Sequence, residues 1–107
     1  MARLDAVLAA VADPTRRALV DRLAHGPARV TDLAAPLPMT LAAASKHIRV
    51  LEKAGLVRRS RHGREHVLEL NATPLRLVAA WAHRYERYWI ERLDRLESFF
   101  IEKGKKS

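Results

Sequence analysis

The sequence contains 107 residues, carries a formal net charge of +8 and has no cysteine. A chain of this length, residues 1–107, folds as one domain. The lack of cysteine excludes disulfides and thiolate metal sites, and the surplus of basic residues favours an acidic partner, nucleic acid before an anionic membrane surface. Since no segment approaches the roughly 20 apolar residues of a membrane span, we expect a cytoplasmic protein without a membrane partner.

The first third of the chain predicts three short helices. Apolar residues recur there at helical spacing, at Leu4, Val7, Leu8 and Val11. Asp13 and Pro14 are typical of an N-cap followed by the first helical position, and the second helix should run to His25. Thr31 is expected to cap a third helix that ends before Pro36.

Residues 40–54 predict the helix on which the rest of the interpretation depends. Thr40 is a suitable N-cap, and Gly55 ends the helix. One apolar stripe is predicted at Leu41, Ala44, Ile48 and Leu51. The opposite face is small at its start and basic behind, with Ala42, Ala43, Ser45, Lys46, Arg49 and Lys53. Such a face fits a DNA major groove, although a surface helix with a merely solvated polar side has the same composition.

The segment 56–70 favours the DNA interpretation. Two strand patterns, 56–61 and 65–70, flank Gly63, which supplies the positive φ of a tight hairpin turn. Four arginines are expected to crowd the tip of this hairpin: Arg58, Arg59, Arg61 and Arg64. They repel one another in the free protein, and a polyanion would relieve that repulsion.

The third and fourth helices are joined by so short a turn that they must cross steeply, as in a helix-turn-helix. The earlier helix then buttresses the later one, which is free to enter the groove. The expected DNA-binding residues are Thr40, Ser45, Lys46, His47, Arg49, Arg58, Arg61, His62 and Arg64. His47 borders the apolar stripe, so a half-buried, hydrogen-bonded imidazole remains the alternative to a phosphate contact.

A long helix is predicted over residues 74–102. All tryptophans, tyrosines and phenylalanines, two of each, lie in it between residues 81 and 100. They cover more of the helix than one intramolecular face needs, which indicates a homodimer formed with the same helix of a second copy. The expected dimerisation residues are Val78, Trp81, Tyr85, Tyr88, Trp89, Leu93, Leu96 and Phe100.

Four segments resemble the ArsR family of winged helix-turn-helix transcriptional regulators: 17–26, 30–34, 44–57 and 61–70. The similarity extends from about Leu4 to Phe100. It implies a mainly α fold with a small β-hairpin in the order α-α-α-α-β-β-α, dimeric through the terminal helices. It also implies a homodimeric bacterial repressor that leaves a pseudo-palindromic operator when an inducer, here of unassigned chemistry, is bound.

The chain departs from the family's metal-sensing pattern. The Cys-x-Cys of those members is absent, and only His83 and Glu86 match half of the alternative site, so we expect no metal and no cofactor. The segment 85–89 resembles a branch that accompanies START-like (SRPBCC) proteins. The recognition helix, residues 40–54, also lacks the Gln and Thr that many relatives carry near its start. Base recognition should therefore depend more on Ser45, Lys46 and Arg49.

Other functional classes are less well supported. None of the five histidines stands in an arrangement typical of nucleophilic or acid-base catalysis, so we expect no enzyme. Two alternatives to a sequence-specific regulator remain. One is a non-specific architectural DNA-binding protein, and the other is a protein-binding adaptor that uses the aromatic C-terminal helix.

Overall fold

A computed structural model describes residues 2–105 of the chain, with side chains from residue 3 to residue 101. The elements follow in the order α1 (Ala2–Ala12), α2 (Pro14–Leu23), β1 (Ala28–Arg29), α3 (Val30–Ala34), α4 (Leu41–Lys53), β2 (Val57–His62), β3 (Glu65–Leu70), α5 (Leu75–His83) and α6 (Glu86–Lys105). The predicted mainly helical fold with a β-hairpin is confirmed. Two features were not predicted, namely strand β1 and the division of the terminal helix.

Side-chain caps set the starts of two helices. The Asp13 carboxylate accepts the Arg16 N–H at 3.0 Å before α2, and the Thr40 hydroxyl accepts the Ala43 N–H at 3.1 Å before α4. Both predicted caps are confirmed. The predicted cap at Thr31 is wrong, because α3 already begins at Val30 and Thr31 lies within it. The N-cap is the extended residue Arg29, whose side chain makes no cap bond.

Helix α4 ends in a Schellman motif. Gly55 has φ +78°, the Gly55 N–H donates to the Glu52 carbonyl, and the Leu56 N–H donates to the Leu51 carbonyl, both at 3.0 Å. Asn71 then fixes this end, since its side-chain amide donates to the Gly55 carbonyl at 2.9 Å. The motif turns the chain directly from α4 into β2.

The sheet has the strand order β1-β3-β2 and is antiparallel throughout. In the hairpin, Val57 is opposite Leu70 and His62 is opposite Glu65, which leaves Gly63 and Arg64 as a two-residue turn. Only Gly63 of these two has positive φ, at +67°, as in a type II′ turn. Strand β1 contains two residues, too few for a sequence pattern to reveal.

One core joins α1–α4 to the sheet. Its fully buried side chains include Val7, Ile48, Leu51, Leu56 and Leu68. The predicted stripe of α4 is therefore confirmed at three positions, since Ala44 is also buried. It is wrong at Leu41, which is 55% exposed. Leu41 lies at the edge of the stripe in the first turn, where it lines a surface depression instead of the core.

The terminal segment is two helices rather than one. Around Arg84 and Tyr85 the backbone N–H groups donate to carbonyls three residues earlier, those of Trp81 and Ala82, so the helix tightens there without a proline or glycine. Helix α5 packs on α1, whereas every described side chain of α6, from residue 86 to residue 101, is exposed. Within residues 2–105, no helix is both long enough and apolar enough to cross a membrane.

Candidate nucleic-acid interface

The basic face of α4 lies on the protein surface. Lys46, Arg49 and Lys53 are exposed, and Ser45 is half-buried. They lie away from the stripe that anchors the helix because residues repeat every 3.6 positions around its axis. The exposed Ala42 begins the same face with a small side chain. This face is therefore free to approach another molecule, as the sequence predicted.

A surface depression of about 280 Å³ separates the start of α4 from the hairpin. Leu41 and Ser45 line it from α4, Thr31 from α3, and Arg59 and Arg64 from the hairpin. The structure thus brings Ser45 and Arg64 to one surface although 18 residues separate them in the sequence. Because the hairpin stands beside the helix in this way, it is the wing of a winged helix-turn-helix.

The arginines of the wing do not share its tip. The turn is at Gly63 and Arg64, so Arg61, His62 and Arg64 are near the tip, whereas Arg58 lies about 13 Å back along the strand at roughly 3.3 Å per residue. Side chains alternate along a strand, so Arg58 and Arg59 are on opposite faces. The prediction that four arginines crowd the tip is wrong for Arg58 and Arg59.

Arg59 is held against the recognition helix. Its guanidinium donates to the Glu52 carboxylate, with Nη2 2.8 Å from Oε1. The hydrogen bond to Glu52 raises the pKa of Arg59 above its ordinary value, while partial burial opposes the rise. This pair ties the base of the wing to the last turns of α4 and removes one positive charge from the candidate interface.

A second ion-pair group ties the wing to α3. Arg29 lies 2.9 Å from Asp32 and 2.9 Å from Glu65, which is on β3, the strand of the hairpin next to β1. Its hydrogen bond to Asp32, and then that to Glu65, raises the pKa of Arg29. Among the residues of α4 and the wing with described side chains, by contrast, six cations have no ion-pair partner: Lys46, Arg49, Lys53, Arg58, Arg61 and Arg64. These six are the cations left for a polyanion.

His47 lies on the other flank of α4 and faces the junction of α1 and α2. Arg16 Nη1 is 3.2 Å from His47 Nδ1, and the Asp13 carboxylate is 3.8 Å from the same nitrogen. The hydrogen bond from the Arg16 N–H to the Asp13 carboxylate is the main cause that lowers the pKa of this carboxyl, and desolvation partly opposes the shift. His47 is thus a half-buried, hydrogen-bonded imidazole, the alternative considered from the sequence. Arg16 was missed, since its partner is 31 residues away.

The predicted dimerisation residues fall into separate groups. Val78 packs against the chain's own core, so its assignment to a dimer interface is weakened. One exposed stripe of α6 consists of Trp89, Leu93, Leu96 and Phe100. Tyr88 lies on another flank of α6, beneath the Arg92 guanidinium at 4.4 Å from its ring centre, while Trp81 and Tyr85 form an edge-to-face pair of rings with centres 5.8 Å apart.

The two residues that match half of the family's alternative metal site, His83 and Glu86, are paired with each other. His83 Nδ1 lies 2.5 Å from Glu86 Oε2, so each of these side chains has the other as a partner. In the part of the chain that the structure describes, no group of three or more His, Asp or Glu side chains is placed to hold a metal ion.

Comparison with known proteins agrees with this geometry. A family described as a helix-turn-helix domain matches residues 11–60. The HTH-type transcriptional regulator Rv2034 of Mycobacterium tuberculosis is 44% identical over 84 residues, which cover 78% of this chain and 76% of that protein. A solved ArsR family transcriptional regulator, RHA00566, is 39% identical with a TM-score of 0.76, over 81% of this chain and 90% of the other.

One solved relative bears on assembly. A homodimeric winged helix-turn-helix DNA-binding domain from Mycobacterium bovis, from a possible ArsR-family regulator, superimposes with a TM-score of 0.64 at 26% identity, over 81% of this chain and 82% of that domain. These relatives are transcriptional regulators rather than enzymes. The chain therefore belongs to the ArsR family of winged helix-turn-helix transcriptional regulators and is a DNA-binding regulator.

Proposed function

We propose that the chain is a homodimeric repressor that acts in the bacterial cytoplasm on a pseudo-palindromic operator. Helix α4 of each subunit enters the major groove. The two helices enter it on the same side of the duplex, one helical turn or about 34 Å apart. The observation that carries this proposal is the pair of unpaired cations, Lys46 and Arg49, on the exposed face of a helix whose other side is fixed in the core.

The contacts divide by the chemistry of the side chains. We assign the base-edge contacts to Ser45, Lys46 and Arg49, because these residues lie on the side of α4 that faces away from the core. The remaining predicted contacts are suited to phosphates and the neighbouring groove. They are Arg61, His62 and Arg64 at the tip of the wing, Arg58 behind them, and Thr40 at the start of α4. His47 has a structural role in this scheme, because its Nδ1 is already bonded to Arg16.

Dimerisation through α6 supplies the second half-site. The stripe formed by Trp89, Leu93, Leu96 and Phe100 is more than half exposed at each position, and an apolar surface of this kind is typical of a protein interface. A two-fold axis would place this stripe against its own copy. The homodimeric state of the M. bovis domain supports the proposal, as does the length of α6, whose 20 residues span about 30 Å.

The signal that releases the operator is proposed not to be a metal ion. The sequence has no cysteine, and His83 is already paired with Glu86. The resemblance of residues 85–89 to the SRPBCC-associated branch supports the proposal that the chain belongs to that group rather than to the metal-resistance regulators.

Footprinting on the DNA upstream of the chain's own gene tests the proposal. We expect two protected half-sites, and affinity for this DNA at least a thousandfold above that for random duplex at the same salt. Eight to twelve phosphate contacts, roughly, should give a slope of log affinity against log salt of about −7 to −11. Equal affinity for both duplexes would contradict a specific repressor and favour an architectural DNA-binding protein, whereas a flat salt dependence would contradict DNA as the partner.

A further inference from the structure

Leu41 is an exposed leucine on the recognition helix. It is the first residue of α4, and 55% of it is accessible, although the core residues Ala44 and Ile48 of the same helix are at most 1% exposed. At about 100° per residue, Leu41 lies about 40° from Ser45 and about 80° from Arg49 around the helix axis. It therefore forms the wing-side edge of the face proposed to meet DNA.

Toward the wing the neighbours of Leu41 are mainly polar residues, whereas toward α3 they are mainly apolar. The depression that it lines contains Thr31, Ser45, Arg59 and Arg64, and the Leu41 side chain is an apolar group at its α4 edge. The next residue, Ala42, is also exposed and is small enough to let the helix approach another surface closely. Exposure to water does not stabilise a hydrophobic side chain in this position, and such a side chain cannot form a hydrogen bond with a base.

We propose that Leu41 contacts the 5-methyl group of a thymine in each half-site and thereby selects thymine over cytosine at one position of the operator. This inference depends on the proposed function, in which α4 enters the major groove. The thymine methyl is the apolar group that base edges present in that groove, and apolar side chains are the ones that recognise it. The N-terminal residues of a recognition helix are also those that contact base edges in helix-turn-helix complexes.

The size of the effect follows from burial. Removing one methyl group from an apolar contact lowers affinity about fourfold. Because a symmetric dimer makes the contact twice, loss of both methyl groups should lower affinity about 15-fold. An effect of this size is well within reach of a fluorescence anisotropy titration.

The test replaces thymine by deoxyuridine, which lacks only the methyl group. The operator is first selected by the wild-type protein from a random duplex pool, and each symmetric pair of thymines is then replaced in turn. We expect one pair whose replacement weakens wild-type binding about 15-fold. The Leu41→Ala protein should bind the thymine and deoxyuridine duplexes with affinities within a factor of two of each other.

Val50→Ala is the matched control. Val50 is an apolar residue on α4 that is 38% exposed and lies about half a turn around the helix from Leu41. This variant should keep the full sensitivity to deoxyuridine. The wild-type measurement does not depend on how either variant folds.

The outcomes separate this inference from the proposed function. A selected motif at which no thymine pair responds to deoxyuridine would overturn the role of Leu41 and leave the sequence-specific regulator intact. Persistent sensitivity in the Leu41→Ala protein would likewise assign the methyl contact to another residue. A pool from which no motif emerges would contradict sequence-specific binding itself and, with it, this inference.

Discussion

Arg16 on α2 and His47 on the recognition helix are joined by a hydrogen bond of 3.2 Å between Nη1 and Nδ1. The same guanidinium donates to the carbonyls of Ala9 and Ala10 at the end of α1, at 3.1 Å and 2.6 Å. Since a guanidinium only donates, His47 Nδ1 is the acceptor and carries no proton in this arrangement. One side chain thus links the ends of α1 and α2 to the middle of α4.

Replacement of His47 by alanine should therefore lower stability. We expect a coupling energy of about 0.5 to 1.5 kcal/mol between His47→Ala and Arg16→Ala in a double-mutant cycle measured by urea denaturation, since the two side chains share one partly buried hydrogen bond.

The salt dependence of DNA binding separates this role from a phosphate contact. If His47 is structural, the His47→Ala protein should keep the wild-type slope of log affinity against log salt. A slope reduced by about 1 for each subunit would instead assign His47 to the DNA backbone.

Asp13 should make stability depend on pH in the acid range. Its pKa is lowered in the folded protein, chiefly by the N–H of Arg16, so its ionised form stabilises the fold. This stabilisation is fully present above the ordinary carboxyl pKa of about 3.9 and is lost as the pH falls through the lowered folded value. The Asp13→Asn protein keeps a cap without the charge. We expect its Tm to be below that of the wild type at pH 6 and to converge with it near pH 2, and a constant Tm difference would contradict this.

Gly55 should tolerate side chains poorly. Its φ of +78° is left-handed, and a Cβ there would lie 3.6 Å from Pro74 Cγ, an ordinary contact, so the cost of substitution comes from the backbone. We expect Gly55→Ala to lower the free energy of unfolding by about 1 to 2 kcal/mol. Gly55→Asn is the matched control and should cost less, because asparagine accepts this conformation more readily. Equal losses for both variants in urea denaturation would indicate that crowding, not φ, matters.

The α6 stripe should control the oligomeric state. We expect Trp89→Ala and especially Leu93→Asp to shift the protein from dimer to monomer in sedimentation velocity, because each removes apolar area from the proposed interface or charges it. Tyr85→Ala, between α5 and α6, should have the same effect if the interface extends beyond the stripe. Arg95→Ala, at an exposed position on the opposite side of α6, should remain dimeric. A stable dimer in all the stripe variants would move the interface elsewhere, and a monomeric wild type would favour an adaptor role for this helix.

The sequence predicted those elements whose ends have a local cause. Asp13 and Thr40 have cap chemistry, and Gly55 and Gly63 supply the positive φ of a helix end and a turn, so α2, α4 and the wing could be located from short patterns. The division between α5 and α6 could not, because the apolar spacing continues through it and neither proline nor glycine marks it.

The remaining differences are consequences of tertiary contacts. Whether Arg59 is free or paired depends on Glu52 of another element, and whether His47 faces DNA or protein depends on Arg16. The sequence alone counted both Arg58 and Arg59, at the base of the wing, as available charge, whereas in the fold only Arg58 is unpaired. The candidate DNA interface of the folded chain is therefore narrower than the one predicted from the sequence, since most of the unpaired cations lie on α4 and towards the wing tip.

The most direct test of the DNA-binding surface is to remove its two central cations. The Lys46→Ala/Arg49→Ala protein should bind the operator more than tenfold more weakly than the wild type in a gel-shift titration, with little change in Tm, since both side chains are exposed. The Arg22→Ala/Arg76→Ala protein has lost the same charge from exposed positions on α2 and α5 and should bind within about twofold of the wild type. Unchanged operator affinity in the Lys46/Arg49 variant, or equal losses in both variants, would contradict the placement of the recognition helix in the major groove.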